Sequence, residues 1–488
     1  MSDLAFKPAL ELAAMIRNRE IRSAELTEHY IERIEKLDGQ GINAVPVRTF
    51  ERAREDADRA DAAMARGEQL GPLHGVPMTI KESYVMRDTP STWGLEAFRD
   101  NIGRTDGIAV SRFRAAGAVF LGKTNVPANL ADFQTYNPLY GTTGNPWDTD
   151  RIPGGSSGGS AAALAAGFCA LEAGSDIGGS IRNPAHFCGV YGHKPTWGIV
   201  PMAGHELLEH TPDADLSVCG PLARSADDLA VALDTMAGAP GRERRGWRLE
   251  LPPPEFNRLG DLRVALWPDD SLCPVATEIS DRVVSVGQTL ARLGATVSDT
   301  ARPGFDVKRA HDTYVSLLNS VMSAPQPEDE YARNVARAAE FDPADMSFRA
   351  VSARGMVLNH REWIRYNFKR EHLRFAWDDF FEDWDILLCP QMATPAFTHD
   401  HRPFGQRTID VDGVQRDYFE QLFWSGLVTN AYLPSTVFPT GLSRGRLPIG
   451  IQAVGAAYRD RRTIEFARLM ADEIGGFQVP VPLVESVK

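Results

Sequence analysis

Apolar residues in the first 70 positions recur at intervals of three and four, as they do on one face of an α-helix. The series comprises Leu10, Ala13, Ala14, Ile16, Ile21, Leu26, Tyr30, Ile31 and Ile34. A further helix is predicted over residues 50–65, which are rich in Arg, Glu, Asp and Ala. The pattern therefore predicts that the chain begins with a group of helices.

Short apolar runs then alternate with helical patterns. Residues 76–80 form such a run, residues 108–116 favour a helix and residues 118–121 favour a strand. Two later runs, 386–390 and 448–454, are predicted to be buried strands. Strands that alternate with helices in this way predict an α/β fold.

The centre of the chain, residues 152–200, differs because about half of it is Gly, Ser or Ala. Within it a helix is predicted over residues 161–166 and a strand over residues 168–173. Glycine inside a regular element costs about 0.5–1 kcal/mol relative to Ala, so this density points to backbone amides brought close to another group. Residues 305–380 are helical in pattern and rich in aromatic side chains, and a closing helix is predicted over 463–474.

Composition narrows the class of protein. The 488 residues carry 52 Lys and Arg against 65 Asp and Glu, a net charge of −13. This balance disfavours nucleic-acid and anionic-membrane partners, which need clustered positive charge. The uncharged stretch 152–171 is interrupted by Gly, Ser and Pro, so no membrane span is expected. Five scattered cysteines without a Cys-x-x-Cys pair, and no signal-peptide pattern, favour a cytoplasmic protein.

Three motif matches lack the context that their chemistry requires. Residues 117–124 fit the P-loop pattern, but their middle residues are predicted to be a strand and Pro127 lies where the helix should run. His205 and His210 are five residues apart, whereas zinc ligands on one helix face are four apart. Residues 154–158 fit a nucleophile elbow, yet a loop precedes them instead of a strand. We therefore expect no nucleotide site, no metal and no Ser-His-Asp triad.

Two Ser/Gly clusters, residues 154–160 and 174–182, carry the strongest candidate chemistry. The second can lead into a helix near Ser180, which would leave the preceding amides unsatisfied beside that serine. Those amides belong to Ile177, Gly178 and Gly179. Free N–H groups at such a place can stabilise an oxyanion. The alternative is a glycine-rich turn in which Ser180 caps the helix, and this cluster alone does not separate the two.

The glycine-rich residues 154–180, with residues 187–196 after them, closely resemble the amidase signature family. The resemblance extends upstream to residues 74–82 and 122–125 and downstream to residues 447–455. A match over several separated blocks in the correct order is far more specific than any single motif above.

The fold that this resemblance implies is a single α/β/α domain over residues 1–488, with a large mixed twisted sheet flanked by helices. Residues 1–70 would form N-terminal helices, residues 71–200 the catalytic core and residues 305–380 a helical segment on the substrate side. Dimers are frequent among such proteins, so a homodimer is possible, although no residue pattern indicates an interface.

A Ser–Ser–Lys triad is also implied by the resemblance, with Ser180 as nucleophile, Ser156 as bridging serine and Lys81 as base. The peptide bond before Ser156 is typically cis in this family. A serine hydroxyl needs a base to become a good nucleophile. Lys81 can act as one only if burial lowers its pKa from ~10.4 toward ~7–8. The implied reaction passes through an acyl-enzyme on Ser180 and needs no cofactor.

Substrate contacts are a weaker prediction. Gln134 and Tyr136 resemble the segment that lines the acyl pocket in the family, Gly155 directly precedes Ser156, and Arg182 lies two residues after Ser180. Of the two roles considered for Arg182, bracing the site is favoured over binding a substrate anion. Ser175 is interpreted as a structural hydroxyl of the same loops.

Two functions are compatible with the triad. The first is a free-standing hydrolase of small amides, anilides or carbamates. The second is the glutaminase subunit of a tRNA-dependent amidotransferase, which works with partner proteins. Ile177, His193 and Trp197 depart from the residues usual in such subunits, which favours the first function. An inactive relative is disfavoured because the three triad residues are intact.

Overall fold

A computed structural model describes residues 4–208 and 211–485 of the protein. Its strands are β1 (Val47–Arg48), β2 (Pro77–Lys81), β3 (Val119–Thr124), β4 (Tyr136–Asn137), β5 (Gly141–Thr142), β6 (Leu171–Asp176), β7 (Tyr191–Lys194), β8 (Val218–Ala223), β9 (Arg263–Leu266), β10 (Thr296–Ser298), β11 (Ile386–Pro390), β12 (Thr408–Val411), β13 (Val414–Asp417), β14 (Ser435–Leu442) and β15 (Pro448–Val454). Its α-helices are α1 (Ala9–Arg17), α2 (Ser23–Leu37), α3 (Phe50–Ala65), α4 (Ile108–Ala115), α5 (Gly158–Ala165), α6 (Arg182–Cys188), α7 (Ala226–Met236), α8 (Thr277–Arg292), α9 (Val307–Ser323), α10 (Glu328–Ala339), α11 (Phe348–Gly355), α12 (His360–Asp383), α13 (Leu422–Thr429), α14 (Asp460–Ile474) and α15 (Val481–Glu485).

One mixed sheet organises the chain. Within the described residues it contains eleven strands in the order β1-β3-β2-β6-β8-β7-β14-β15-β11-β9-β10. β2 runs parallel to β3 and β6, with Met78 opposite Leu171, whereas β6 runs antiparallel to β8. Because the carboxyl ends of parallel strands meet at one edge, the ends of β2 and β6 lie side by side.

Both faces of this sheet are covered. Alternate residues of one strand belong to two separate hydrophobic clusters: Ile386 and Leu388 lie in the first, and Leu387 and Cys389 lie in the second. Helices α1, α2, α3, α7 and α14 contribute to the first cluster, and α9, α12 and α13 to the second. Since side chains of a strand alternate between faces, helices cover the sheet on both sides. The predicted α/β/α fold with a large mixed sheet is confirmed.

Several predicted elements occur where the pattern placed them. The helix at residues 50–65 and the strands at 386–390 and 448–454 have the predicted bounds. The helices of residues 305–380 are α9 to α12, of which α9 packs against α11, α12 and α13. No helix of the described residues is both long enough and apolar enough to span a membrane.

The glycine-rich centre differs from its prediction. Helix α5 begins three residues before the expected position 161, and β6 begins three residues after the expected position 168. The start of α5 packs against another backbone, since a Cβ at Gly159 would lie 2.4 Å from the Asn125 nitrogen. Pairing of Leu171–Asp176 with β8 makes Ser175 a strand residue instead of a loop residue. Hydrophobic periodicity carries no information on either contact.

Candidate active site

Lys81 stands at the carboxyl end of β2, next to the carboxyl end of β6. Its side chain is fully buried, and Nζ donates hydrogen bonds to Ser156 Oγ at 2.7 Å and to Ser175 Oγ at 2.9 Å. Ser175 belongs to β6, while Ser156 lies in the loop before α5. The parallel pairing of β2 and β6 thus brings the amine to two hydroxyls far from it in sequence.

Burial lowers the pKa of Lys81 from 10.5 to about 7, and the negative charge of Asp176 opposes this shift only in part. Burial also raises the pKa of Glu172 to about 8, so this carboxyl is mainly uncharged at neutral pH. With its pKa near 7, Lys81 is present in part as the neutral amine at neutral pH. A neutral amine in contact with a serine hydroxyl can accept its proton.

Ser156 follows a cis peptide bond with Gly155. The backbone of Gly155 is held on both sides by Asn183, whose Oδ1 accepts from its N–H at 2.9 Å and whose Nδ2 donates to its carbonyl at 2.6 Å. A Cβ at Gly155 would lie 2.3 Å from the Asp132 carbonyl oxygen. Both backbone polar groups of Gly155, which we predicted to contact substrate, are thus engaged within the protein.

Ser180 lies in the loop between β6 and α6 and is 8% exposed. The Ser157 N–H donates to the Ser180 carbonyl at 3.1 Å, which places the two serine loops in contact. Among the described residues, the Ser180 hydroxyl and the N–H groups of Ile177 and Gly178 have no hydrogen-bond partner. These groups are free to act on a molecule bound beside Ser180.

The Gly179 amide is arranged differently from our expectation. Its N–H donates to Asp176 Oδ1 at 2.9 Å, so it is already engaged within the protein. The carboxylate at the end of β6 captures this donor because the chain turns back over it toward α6. Of the three amides predicted for an oxyanion hole, those of Ile177 and Gly178 remain free.

Asp176 and Arg182 form a fully buried ion pair at 2.9 Å beneath this loop. The Asp176 carboxylate also accepts from the N–H groups of Ile181 and Arg182. Burial alone would raise the pKa of Asp176, but the Arg182 charge and these hydrogen bonds lower it. Arg182 Nη1 donates to Gln452 Oε1, and Nη2, which also bonds Asp176, donates to Thr429 Oγ1. The guanidinium is buried among protein groups and has no open side toward a substrate.

Gln134, just before β4, and Tyr136, the first residue of β4, are bound to a distant loop. Gln134 Nε2 donates to the Asp400 carbonyl, and its Oε1 accepts from the Asp400 N–H, both at 2.8 Å. The Tyr136 hydroxyl accepts from Arg407 at 2.7 Å, and its ring stacks on His401 with 3.8 Å between centroids. The polar atoms of both side chains are thus occupied by the segment 400–407.

His205 is buried, and its Nε2 lies 2.9 Å from Ser83 Oγ. Glu209 and His210, the other end of the rejected zinc pattern, lie outside the described residues. The described residues contain no group of three or more His, Cys, Asp or Glu arranged to hold a metal ion.

Two residues that lie at the site were given no part in the chemistry by the sequence analysis. Ser175, interpreted as structural, is the second hydrogen-bond acceptor of Lys81. Tyr314 of α9 donates from its hydroxyl to the Ile177 carbonyl at 2.9 Å. The position of Ser175 in the Ser/Gly cluster was a signal for the first, whereas nothing local marks Tyr314 among the aromatic residues of 305–380.

Comparison with known proteins identifies the family of this chain. The amidase family model matches residues 25–464. An indoleacetamide hydrolase of Bradyrhizobium diazoefficiens is 32% identical, over 96% of this chain and 86% of its own. A glutamyl-tRNA(Gln) amidotransferase component from a Synechococcus species is 32% identical, over 94% of this chain and 95% of its own. A bacterial aryl acylamidase structure of the amidase signature enzymes superposes with a TM-score of 0.80 at 25% identity, over 96% of each chain.

The chain belongs to the amidase signature family and is an amide hydrolase. The resemblance noted from the separated sequence blocks is thereby confirmed. The relatives differ in what their names say they act on, so the family alone does not identify the amide that this protein cleaves.

Proposed function

We propose that the protein is a serine amidase in which Ser180 is the nucleophile, Ser156 relays protons and Lys81 is the base. The observation that carries this proposal is the buried contact of 2.7 Å between Lys81 Nζ and Ser156 Oγ. A lysine whose pKa lies near 7 is matched to proton transfer at neutral pH. When neutral, this amine can donate to Ser175 Oγ while its lone pair accepts from Ser156.

In the first half of the reaction, Ser180 Oγ attacks the amide carbonyl carbon. The Ser180 proton moves to Ser156 Oγ as the Ser156 proton moves to Lys81 Nζ. The resulting oxyanion is placed beside the free N–H groups of Ile177 and Gly178, which stabilise it. The C–N bond then breaks, and the proton returns from Lys81 through Ser156 to the leaving amine.

The second half repeats these steps with water. The acyl group is now an ester of Ser180, and water attacks its carbonyl carbon while its proton passes along the same relay to Lys81. Collapse of the second tetrahedral intermediate breaks the bond to Ser180 Oγ, which regains a proton from Ser156 as Lys81 returns its proton to Ser156. Because Arg182 is enclosed by Asp176 and other protein groups, we assign it the bracing role and not a substrate contact.

For the substrate we propose a small amide, with anilides, aryl carbamates and primary amides as its classes. The similarity to an enzyme named for indoleacetamide supports an aromatic acyl group or amine. The aromatic segment 305–380 supports the same class, since Tyr314 from this segment touches the Ser180 loop. Gln134 and Tyr136 then act as a frame for the acyl pocket through the segment 400–407 and do not bind the substrate by polar contacts.

A second candidate is the glutaminase subunit of a tRNA-dependent amidotransferase. It is favoured by the relative from such an enzyme that is 32% identical over 94% of the chain. Such a protein would hydrolyse glutamine as one component of an assembly with partner proteins.

Release of amine or ammonia from a panel of substrates separates the two candidates. The panel contains an anilide, an aryl carbamate, benzamide, a short aliphatic amide and glutamine. Each is run with the wild type, with Ser180→Ala and with Ser316→Ala, a buried serine of α9 that bonds only its own helix. We expect turnover of an anilide or carbamate that Ser316→Ala keeps and Ser180→Ala loses.

Two results would contradict the first proposal. Hydrolysis that persists in Ser180→Ala would remove the nucleophile assignment. Turnover of glutamine alone, or no turnover until amidotransferase partners are added, would favour the second candidate.

We also propose a reducing, cytoplasmic setting and a homodimer. All five cysteines are buried free thiols, which supports the first of these. Sedimentation of the purified protein at several concentrations measures the oligomeric state directly.

A further inference from the structure

Tyr314 joins helix α9 to the loop that carries the nucleophile. Its side chain is fully buried, and its hydroxyl donates to the Ile177 carbonyl at 2.9 Å. The ring packs closely against α13 at Gly426, where a Cβ would come within 2.2 Å of ring carbon Cδ1. Both the ring and its hydroxyl therefore have one defined position.

The hydrogen bond from Tyr314 holds the orientation of one peptide unit, that between Ile177 and Gly178. The peptide between Ile177 and Gly178 is trans, so its carbonyl and its N–H point in opposite directions. A carbonyl directed at Tyr314 therefore directs the Gly178 N–H away from Tyr314. That N–H has no acceptor among the described residues, which leaves it available to a bound group.

The other end of the loop is held separately. Asp176 accepts from the N–H groups of Gly179, Ile181 and Arg182, and this fixes the peptides that follow Gly178. The Ile177–Gly178 peptide receives no bond from Asp176. Its orientation therefore depends on the hydrogen bond from Tyr314. Because Gly178 has few steric restrictions on its backbone, this peptide can rotate at a low cost in free energy once that bond is lost.

We propose that Tyr314 is a positioning residue for the oxyanion hole: its hydroxyl holds the Ile177 carbonyl so that the Gly178 N–H faces the reacting oxygen. This inference rests on the proposed function, because it assumes that charge develops beside Ser180. It gives the aromatic segment 305–380 a part in the chemistry through one hydroxyl group.

Tyr314→Phe tests the hydroxyl while keeping the packing of the ring. The matched control is Tyr30→Phe, which removes another fully buried tyrosine hydroxyl; this one lies in helix α2 and donates to the Ala5 carbonyl at 3.4 Å. The readout is the second-order rate at which a fluorophosphonate probe labels Ser180, followed by intact mass and peptide mapping. In this reaction the Ser180 oxygen bonds to phosphorus, fluoride leaves, and the serine proton passes through the relay to Lys81.

Removal of one oxyanion-hole donor lowers a reaction rate by about 10²–10³-fold. In Tyr314→Phe the Gly178 N–H is still present but its orientation is no longer held, so the labelling rate should fall about tenfold. We expect that fall for Tyr314→Phe, no change for Tyr30→Phe, and the same midpoint in the pH dependence of labelling for all three proteins. A fall of less than about fivefold, an equal fall in Tyr30→Phe, or a moved midpoint would overturn the inference.

Gly426→Ala provides a second route to the same bond, since the added Cβ must displace the Tyr314 ring. It should slow labelling as Tyr314→Phe does, and the double variant should be no slower than the worse single variant. Additive losses would overturn the inference. If the wild type itself is not labelled at Ser180, the proposed function fails first; a labelled wild type with an equally reactive Tyr314→Phe rejects Tyr314 alone.

Discussion

The buried amine of Lys81 should make the stability of the protein depend on pH in a calculable way. Its pKa falls from 10.5 in water to about 7 in the folded protein because it is buried. Between these two values the unfolded chain holds a proton that the folded chain lacks. The free energy of unfolding therefore rises with pH over this window. The difference of 10.5 − 7 = 3.5 pKa units corresponds to about 5 kcal/mol over the full window.

Lys81→Met isolates this contribution because methionine has a similar length and no ionisable group. The variant should be inactive but more stable than the wild type at pH 7. Its advantage should shrink by about 3–4 kcal/mol between pH 7 and pH 10, as the wild-type amine loses its proton in the unfolded state too. Buried groups that do not interact with Lys81, such as Lys194, titrate in both proteins and cancel in the difference.

Guanidinium-induced unfolding of both proteins at half-unit steps from pH 7 to pH 10 measures the change. The wild-type kcat/KM, followed over pH 5.5 to 9 with the best substrate of the panel, should rise through about pH 7 and then level off, because only the neutral amine is a base. A stability difference that does not vary with pH, or an activity that has not levelled off by pH 9, would refute the assignment of a buried neutral base at Lys81.

Two further predictions concern the surroundings of this amine. Ser175→Ala removes one of the two hydroxyls bound to Lys81, so kcat/KM should fall about tenfold. The acid limb of the pH–rate profile should move to lower pH, because the lost hydrogen bond favours the charged amine. An unchanged pH–rate profile would contradict this prediction. Asp176→Asn leaves the buried Arg182 without its counter-charge and should cost about 3–5 kcal/mol in denaturant unfolding, with part of the loss restored by adding Arg182→Met. An Asp176→Asn variant as stable as the wild type would contradict the bracing role of the Asp176–Arg182 ion pair.

The pattern of the chain predicted those elements that are set by local periodicity. The helix at 50–65 and the strands at 386–390 and 448–454 have clear apolar spacing, and their bounds agree with the structure. Residues 158–176 were misplaced by three positions at two boundaries. Glycine, serine and alanine fit helix, strand and loop almost equally well by hydropathy, so contacts with β8 and with the Asn125 backbone decide those boundaries.

Similar limits apply to the candidate site. The separated motifs identified Lys81, Ser156 and Ser180 as candidates, but only through the resemblance to a family. A lone lysine at a strand end is usually exposed, so the residues around Lys81 do not by themselves indicate a catalytic base. The engagement of Gly179 by Asp176 could not be foreseen, since the same glycine-rich sequence permits several turns. The sequence likewise does not show whether Arg182 is enclosed or faces a ligand, because this depends on its burial and on its pairing with Asp176 in the fold.

By itself, the sequence determined the class of fold, the family and the residues that can carry the chemistry, because helical and strand periods and short motifs are properties of neighbouring residues. Tertiary structure alone decided which distant groups meet: Lys81 and Ser156 are 75 residues apart, and Ile177 and Tyr314 are 137 apart. Those contacts follow from the order of strands in the sheet and from the packing of α9 on α13. The pKa of Lys81 follows from them too, since only the assembled fold removes water from the amine.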